Sequence, residues 1–334
     1  MKKYLSLIRT SWAVVLLLSL NSCSSGEPEI ASSGKSTILG IATTNQPSLT
    51  TFVTAVNRFP DLVTLFNSSG NFTVFIPSNA AFSAFLASTP YATVNDVPLA
   101  TLREILSNHV VAGSYTTVAT ANATTVSTGY LKTLAKGNAS STNTLSLYLN
   151  ISSTDVRLNG VSSVTSANNM ATNGVVHLVD AVIGLPTILT HTKANSGLST
   201  LTDIITSASG IYGNQSSLAL ALATNATPLT VFAPTNDAFK AAFATGAWAN
   251  GVTGAALTKV VQYHVSAAGN LLGQNLQQNQ VLAMITTPIL NTTIDLNGGV
   301  KIKDTQSNSA SIVVTDVQCA NGILHIVDKV LRPF

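Results

Sequence analysis

Charged side chains are scarce in this chain. Asp, Glu, Lys and Arg make up 9% of the 334 residues, against roughly 25% in an ordinary soluble protein. Only two cysteines occur, which excludes a disulfide framework and a cysteine-based zinc site. Glutamate is confined to Glu27, Glu29 and Glu104, so a glycosidase-type carboxylate pair has little to draw on. There is no Gly-x-Ser-x-Gly elbow, no His-x-x-x-His spacing and no His-Glu pair. Lys and Arg form no cluster beyond Lys301 and Lys303, which disfavours nucleic-acid binding. What is present is a 46% apolar share, enough for packed cores and too high for a disordered chain. Ser, Thr, Asn and Ala fill the space that charge leaves, which implies a neutral surface rich in hydroxyls and amides.

The N-terminus reads as an address. Lys2, Lys3 and Arg9 precede an apolar run from Trp12 to Leu20, followed by Leu20-Asn21-Ser22-Cys23. A basic start, a short apolar stretch and small residues before a cut site describe a secretory signal over residues 1–22. The run is about half of the ~20 residues that a membrane span needs. Leu-Asn-Ser-Cys resembles the bacterial lipobox, in which the cysteine is lipidated and becomes the new N-terminus, so Cys23 is expected to carry a membrane anchor. Residues 23–36 are small and polar and are expected to form a flexible tether. Their serine-rich start with Glu27 and Glu29 resembles surface-export signals of Bacteroidota. Ser33-Gly34-Lys35-Ser36-Thr37 imitates the end of a phosphate loop, but position 29, where that motif needs glycine, is Glu29. The formal charge of +3 is also targeting information. Lys2, Lys3 and Arg9 leave with the signal, and the 13 basic residues that remain equal the 13 acidic ones.

The rest of the chain is one domain written twice. Thr73-Val74-Phe75-Ile76-Pro77-Ser78-Asn79-Ala80-Ala81-Phe82 returns at Thr230–Phe239, differing only at Ile76/Ala233, Ser78/Thr235 and Ala80/Asp237. Asn173-Gly174-Val175-Val176-His177-Leu178-Val179-Asp180 returns at Asn321–Asp328. Between them, Leu102, Ile105, Leu106 and His109 match Leu257, Val260, Val261 and His264. The order is the same in both halves. A repeat this long is a tandem domain, not a solenoid. The domains are placed at 37–186 and 195–334, joined by a short link from Thr187 to Ser196.

Leu49, Phe52, Val53 and Val56 have the spacing of an amphipathic helix. Phe72 to Ile76 is a strand ending at Pro77. Ser78 or Asn79, and Thr235 or Asn236, are candidates to cap the helix that follows. Leu145, Leu147, Leu149 and Ile151 alternate with polar residues as in a strand with one buried face. Asn159-Gly160 and Asn297-Gly298 fit type I′ hairpin turns. Helices come first and strands later in each copy, which is an α+β layout.

These blocks together resemble the fasciclin (FAS1) family. The Thr-Val-Phe-x-Pro-[Ser/Thr]-Asn-x-Ala-Phe block is similar to its first signature, Tyr263-His264 to its central Tyr-His motif, and Asn-Gly-x-x-His-x-Val-Asp to its last. The first copy departs with Asn108-His109 and Ala80. The resemblance implies a compact α+β unit, a β-wedge of short strands packed with a helical layer, in each copy. It also implies a role in adhesion and in extracellular matrix or surface association. Some animal relatives are implicated in integrin binding around Tyr-His, a role that Asn108 and the bacterial address make unsuitable here.

His109 and His264 lie on apolar helix faces, and His177 and His325 inside apolar strands. Without neighbouring ligands they read as hydrogen-bonded core histidines. Asp180 and Asp328 are expected to bond nearby backbone or histidine. Asp295-Leu296-Asn297-Gly298 has a faint calcium-loop look without the remaining ligand spacing. Cys319 reads as a buried thiol. The sequence therefore predicts no cofactor and no catalysis. It points to a lipid-anchored envelope protein of the outer membrane that meets an extracellular protein or polysaccharide. The competing reading is a glycan- or small-ligand-binding module of an uptake system.

Overall fold

A computed structural model describes residues 36–334, except 45–46, 118–122, 210–211, 213, 245–251 and 253. Cys23, the signal and the tether up to residue 35 lie outside the described residues.

Among the described residues, five α-helices and nine strands form the first copy. The order is α1 Ile38–Thr43, α2 Thr50–Val56, α3 Pro60–Asn67, β1 Phe72–Pro77, α4 Asn79–Ala87, α5 Leu99–Asn108, β2 Val110–Ala112, β3 Tyr115–Thr116, β4 Thr124–Thr125, β5 Gly129–Gly137, β6 Ser140–Ile151, β7 Val156–Leu158, β8 Ser162–Ala171 and β9 Gly174–Val179. The second copy runs α6 Ile188–Ala194, α7 Ser199–Thr206, α8 Ser216–Thr224, β10 Leu229–Pro234, α9 Asn236–Phe243, α10 Gly254–Gln262, β11 Val265–Ser266, β12 Val281–Ala283, β13 Asn291–Asp295, β14 Lys301–Lys303, β15 Ser309–Cys319 and β16 Gly322–Val327. The α+β expectation holds in both.

The sheets share one strand order. In the first copy, β1-β2-β5-β6-β7-β8-β9 closes into a barrel, with Val111 facing Thr133 where β2 meets β5. In the second, β11-β10-β16-β15-β14-β13-β12 follows the same path. There, closure shrinks to a bridge between Ser266 and Met284. In both, the first long strand pairs in parallel with the last, with Phe75 opposite His177 and Phe232 opposite His325. The two strongest sequence blocks, about a hundred residues apart, are therefore neighbours in the fold. Each domain buries one apolar cluster under its helices, around Phe52, Phe66 and Phe82 or around Ile204 and Phe239. A second cluster lies around Phe75 or Phe232.

Local signals explain the element starts. Ser78 Oγ accepts the Ala81 amide and Thr235 Oγ1 the Ala238 amide, each at 3.1 Å, so the hydroxyl residue caps α4 and α9. The expected link from Thr187 to Ser196 is instead α6, opened by a Thr187–Thr190 capping box. It is the counterpart of α1. Ile188 and His191 are fully buried, and Ile188 joins the second domain's core. Asn159 and Gly160 have φ of 50° and 69°, as a type I′ turn requires. Asn297-Gly298 does not follow. The positive φ values fall on Gly298 and Gly299, because Asn297 turns inward and donates from its amide and side chain to Asp295 Oδ1.

The domains meet along a seam. The Ala139 amide donates to the Ala320 carbonyl at 3.0 Å, and the Gln318 amide to Ser146 Oγ at 3.0 Å. Gly137 allows the approach, since a Cβ there would lie 2.5 Å from Ala320 Cα. Ser146 and Tyr148, on the face of β6 that alternation marks as polar, are buried. That face meets the second domain, a burial that one strand's periodicity cannot reveal.

Gly322 starts β16 at φ 153°, where a Cβ would lie 2.1 Å from the Leu229 carbonyl oxygen. Gly322→Ala is expected to destabilise the second domain by about 3 kcal/mol or more, because backbone blocks the added methyl. Gly299→Ala, at φ 112° in open space, is expected to cost only about 1 kcal/mol. Urea titration of the two variants checks the contrast.

Candidate functional site

The residues singled out by the repeat converge, in each domain, on the junction between the parallel strand pair and the helices. They arrive there as fasteners. His109 and His264 end the helices α5 and α10 and are buried. Nδ1 of His109 lies 2.7 Å from the Ile105 carbonyl, and its Nε2 accepts the Ile183 amide at 2.9 Å. His264 repeats this with the Val260 carbonyl at 2.8 Å and the Leu331 amide at 2.9 Å. A carbonyl partner requires a proton on Nδ1 and an amide partner requires a bare Nε2, so each ring is a neutral Nδ1–H tautomer. Each ties its helix to the segment that leaves the domain's last strand.

The strand histidines take the opposite tautomer. His177 Nε2 donates to the Tyr115 carbonyl at 3.0 Å and His325 Nε2 to the Leu271 carbonyl at 2.8 Å. Their Nδ1 atoms accept the amides of Asn168 and Asp316 at 3.4 and 3.3 Å. Those two residues sit at φ 61° and 60°, in bulges of β8 and β15. Asn and Asp tolerate that left-handed conformation better than other non-glycine residues. Phe75 and Phe232 stack on the two rings, with centroids 5.4 and 5.6 Å apart. Burial lowers the pKa of all four histidines, to about 4 for His109 and His264, against the pull of the carbonyl each faces.

The remaining expected residues are equally committed. Asp180 Oδ1 accepts the Ser163 amide and Asp328 Oδ1 the Ser311 amide, both at 2.7 Å, so they bond backbone. Asn79 and Asn236 do not cap the helix they begin. Asn79 Oδ1 accepts the Thr51 amide at 2.9 Å, and its Nδ2 donates to the Pro47 carbonyl and Thr50 Oγ1. Asn236 does the same at Thr200, Ser196 and Ser199. Each caps α2 or α7 across the interface between helices, because Ser78 or Thr235 already serves the nearer end.

Tyr263 is fully buried. Its hydroxyl donates to the Asn291 carbonyl at 2.7 Å and accepts the Thr305 amide at 3.1 Å. Asn108, in the equivalent place, is buried too and donates to the Ile183 and Gly184 carbonyls. The Tyr-His segment is thus interior in both copies. Asp295, of the calcium-like loop, pairs with Lys303 at 2.9 Å. That bond holds its carboxyl well below the usual range. Burial pushes the Cys319 thiol up.

Sequence reading missed three groups. Asn173 Oδ1 accepts the Ile38 amide while Nδ2 donates to the Phe66 and Ser68 carbonyls. Asn321 repeats this with Ile188 and Leu222. Their recurrence at the head of the last block was a usable signal. Asn168 and Asp316 differ in identity, so the repeat hides them. His191 and Asn195 lie on the domain seam, and the repeat does not mark His191 because the first copy has Ile41 in its place.

His264→Ala removes the acceptor for the buried Leu331 amide and leaves a void. It is expected to destabilise the second domain by about 2–4 kcal/mol, read as a lower Tm. The histidines also set an acid limit. A folded pKa of about 4 for His109 and His264 lies below the unfolded value of about 6.5. Their contribution is therefore complete above pH 6.5 and is lost as pH falls from there towards 4. Each is expected to withdraw about 3 kcal/mol across that window, seen as a falling urea midpoint between pH 7 and 4.

Comparison with known proteins agrees with this geometry. The Fasciclin domain matches residues 47–186 and 197–333. Protein sll1483 of Synechocystis is 34% identical over 155 residues, covering 46% of this chain and 77% of that protein. Immunogenic protein MPB70 of Mycobacterium bovis is 33% identical over 154 residues, covering 44% and 69%. A FAS1 domain pair from the insect cell adhesion molecule fasciclin I superposes with a TM-score of 0.50 at 19% identity, covering 85% of this chain and 96% of that one. Each relative spans about one copy of the repeat, while the insect pair spans both and shares the fold. The chain belongs to the fasciclin-domain family and carries two of these domains in tandem.

Proposed function

We propose that this is a non-catalytic, lipid-anchored cell-envelope protein that uses its two fasciclin domains to hold an extracellular protein or polysaccharide. One observation carries the non-catalytic part. The four repeated histidines have both ring nitrogens engaged in the neutral state, so none offers a base, a nucleophile partner or a metal ligand. The anchor rests on Leu-Asn-Ser-Cys ending at Cys23 and on the polar run that follows. Among the described residues no helix is long and apolar enough to cross a membrane. The adhesive role rests on the family and on the insect adhesion molecule with the same fold.

The glycan-binding reading has an observation of its own. A cleft of about 320 Å³ lies on the seam, lined by Lys132, Thr142, Asn143, Thr144, Gln274 and Asp316 among others. Hydroxyls, amides and one charge of each sign suit a polar, hydroxylated ligand, although no aromatic platform lines it. Binding on a glycan array that Gln274→Ala weakens would favour this reading over a protein partner.

Cys23→Ala is expected to move the protein from the membrane fraction to the soluble fraction, and protease treatment of intact cells is expected to digest the wild type. Deleting the gene is expected to reduce attachment or aggregation. Unchanged attachment on every surface tried would overturn the adhesive role.

A further inference from the structure

His191 is the histidine that the duplication does not explain. The other four occur as pairs with both nitrogens engaged. At the equivalent position of α1 the first domain has Ile41, so the fold does not require an imidazole here. The ring is fully buried, and neither Nδ1 nor Nε2 has a hydrogen-bond partner in good geometry. An imidazole in that state is costly, and an aliphatic side chain would pack without the penalty.

Much of what surrounds it comes from the other domain. Tyr130 of β5 presents its ring edge-on, with centroids 5.5 Å apart and planes at 69°. The charge of Lys132 on β5 opposes a proton on the ring, while a hydrogen-bonding approach to the Ser146 backbone of β6 favours one. The Lys132 side chain, exposed at the edge of the seam, donates to Ser146 Oγ at 3.0 Å and to the Asp316 carbonyl at 2.6 Å. Tyr130 and Tyr148, from β5 and β6, hold Asn195 beyond the end of α6. Burial keeps both phenols and the nearby Cys319 thiol of β15 neutral. Asp316, the carboxylate on these strands, acts on Lys132 and on His325. Lys193, on α6 itself, adds a further cation to the helix. A proton on His191 would therefore be a second positive charge in a seam that already holds one, with no carboxylate against the ring among the described residues.

We propose that the seam is an acid-operated joint: protonation of His191 drives the two domains apart while each stays folded. Separation removes Tyr130, Lys132 and Ser146 from the ring and returns it to water. In the closed pair, burial first and Lys132 second bring its pKa to about 3, while a solvated histidine titrates near 6.5. The closed form is therefore fully favoured above pH 6.5 and loses ground as pH falls towards 3. At pH 4.5 the opening constant is expected to be about a hundredfold larger than at pH 8.

The test is amide hydrogen exchange by NMR on the purified full chain, with protection factors compared at pH 8 and 4.5. The Ala139 and Gln318 amides bond across the seam, whereas those of Ser78 and Thr235 bond to the Val179 and Val327 carbonyls inside single domains. His109 and His264 titrate in the same window, so the reading is the difference from His191→Ile, which copies the first domain and keeps both. On going from pH 8 to 4.5 the seam amides are expected to lose about a hundredfold more protection in the wild type than in His191→Ile, while Ser78 and Thr235 lose equally in both. Unchanged seam protection, or an equal seam loss in His191→Ile, would overturn the proposal. Small-angle scattering of the wild type supplies a reading that needs no variant. A larger maximum dimension at pH 4.5 with unchanged circular dichroism is expected, and an unchanged dimension would also overturn it.

Discussion

The parallel pairing of each domain's first long strand with its last is the constraint on which the rest depends. A parallel pair needs a long crossover between its strands, and here the crossover is most of the domain. β1 cannot be completed until β9 arrives, and β10 waits likewise for β16. That is why the two strongest signatures stand at opposite ends of each copy. Phe75 against His177 and Phe232 against His325 mark the register. The histidine on the late strand then reaches sideways to the carbonyl and the bulge amide that position the neighbouring loop. A single ring thus secures strand register, bulge and loop, and its neutral tautomer is what lets it do so.

The same economy of charge runs through both domains. Ion pairs such as Arg103–Asp61 are exposed and contribute little to stability. Backbone ends are instead satisfied by neutral amides: Asn79 and Asn236 on helix starts, Asn173 and Asn321 on a helix start and a helix end. An amide offers donor and acceptor together, so one buried side chain closes two elements without the desolvation cost of an ion. The scarcity of charge in the sequence has this structural counterpart. It also makes long-range steering a poor means of recognition, leaving shape and short-range bonding.

Much of this was legible in the sequence where a residue acts on its own neighbourhood. The strand ending at Pro77, the hydroxyl caps, the Asn159-Gly160 turn and the buried histidines all follow from local pattern. What was not legible acts at a distance. Ser78 or Asn79, and Thr235 or Asn236, are equal candidates for the nearer helix, since sequence shows no other helix end for the asparagine to reach. Asn297-Gly298 has the letters of a type I′ turn, but Asp295 two residues earlier captures the Asn297 side chain and redirects the loop. The alternation of β6 correctly gives a strand and wrongly implies a wet face, because its second partner is another domain. α6 looked like a link for the same reason: its apolar residues are few, and its burial depends on both domains.

The one large departure between the copies, Asn108 against Tyr263, shows how a repeated frame absorbs a change. Asn108 is short, and Thr133 of β5 donates directly to its Oδ1 at 3.2 Å. The helix therefore lies close to β5, and β5 continues to β2, where the barrel closes. Tyr263 places a ring in that space, packed among Phe232, Leu282 and Ile294. Its hydroxyl reaches past β12 to the Asn291 carbonyl and the Thr305 amide. With the ring interposed, the sheet edges meet in an isolated bridge at Ser266 and Met284. The tyrosine supplies across the interior the fastening that the first domain obtains from its closing strand. Both solutions keep His109 or His264 in the same two bonds, because that histidine ties its helix to the chain leaving the parallel pair.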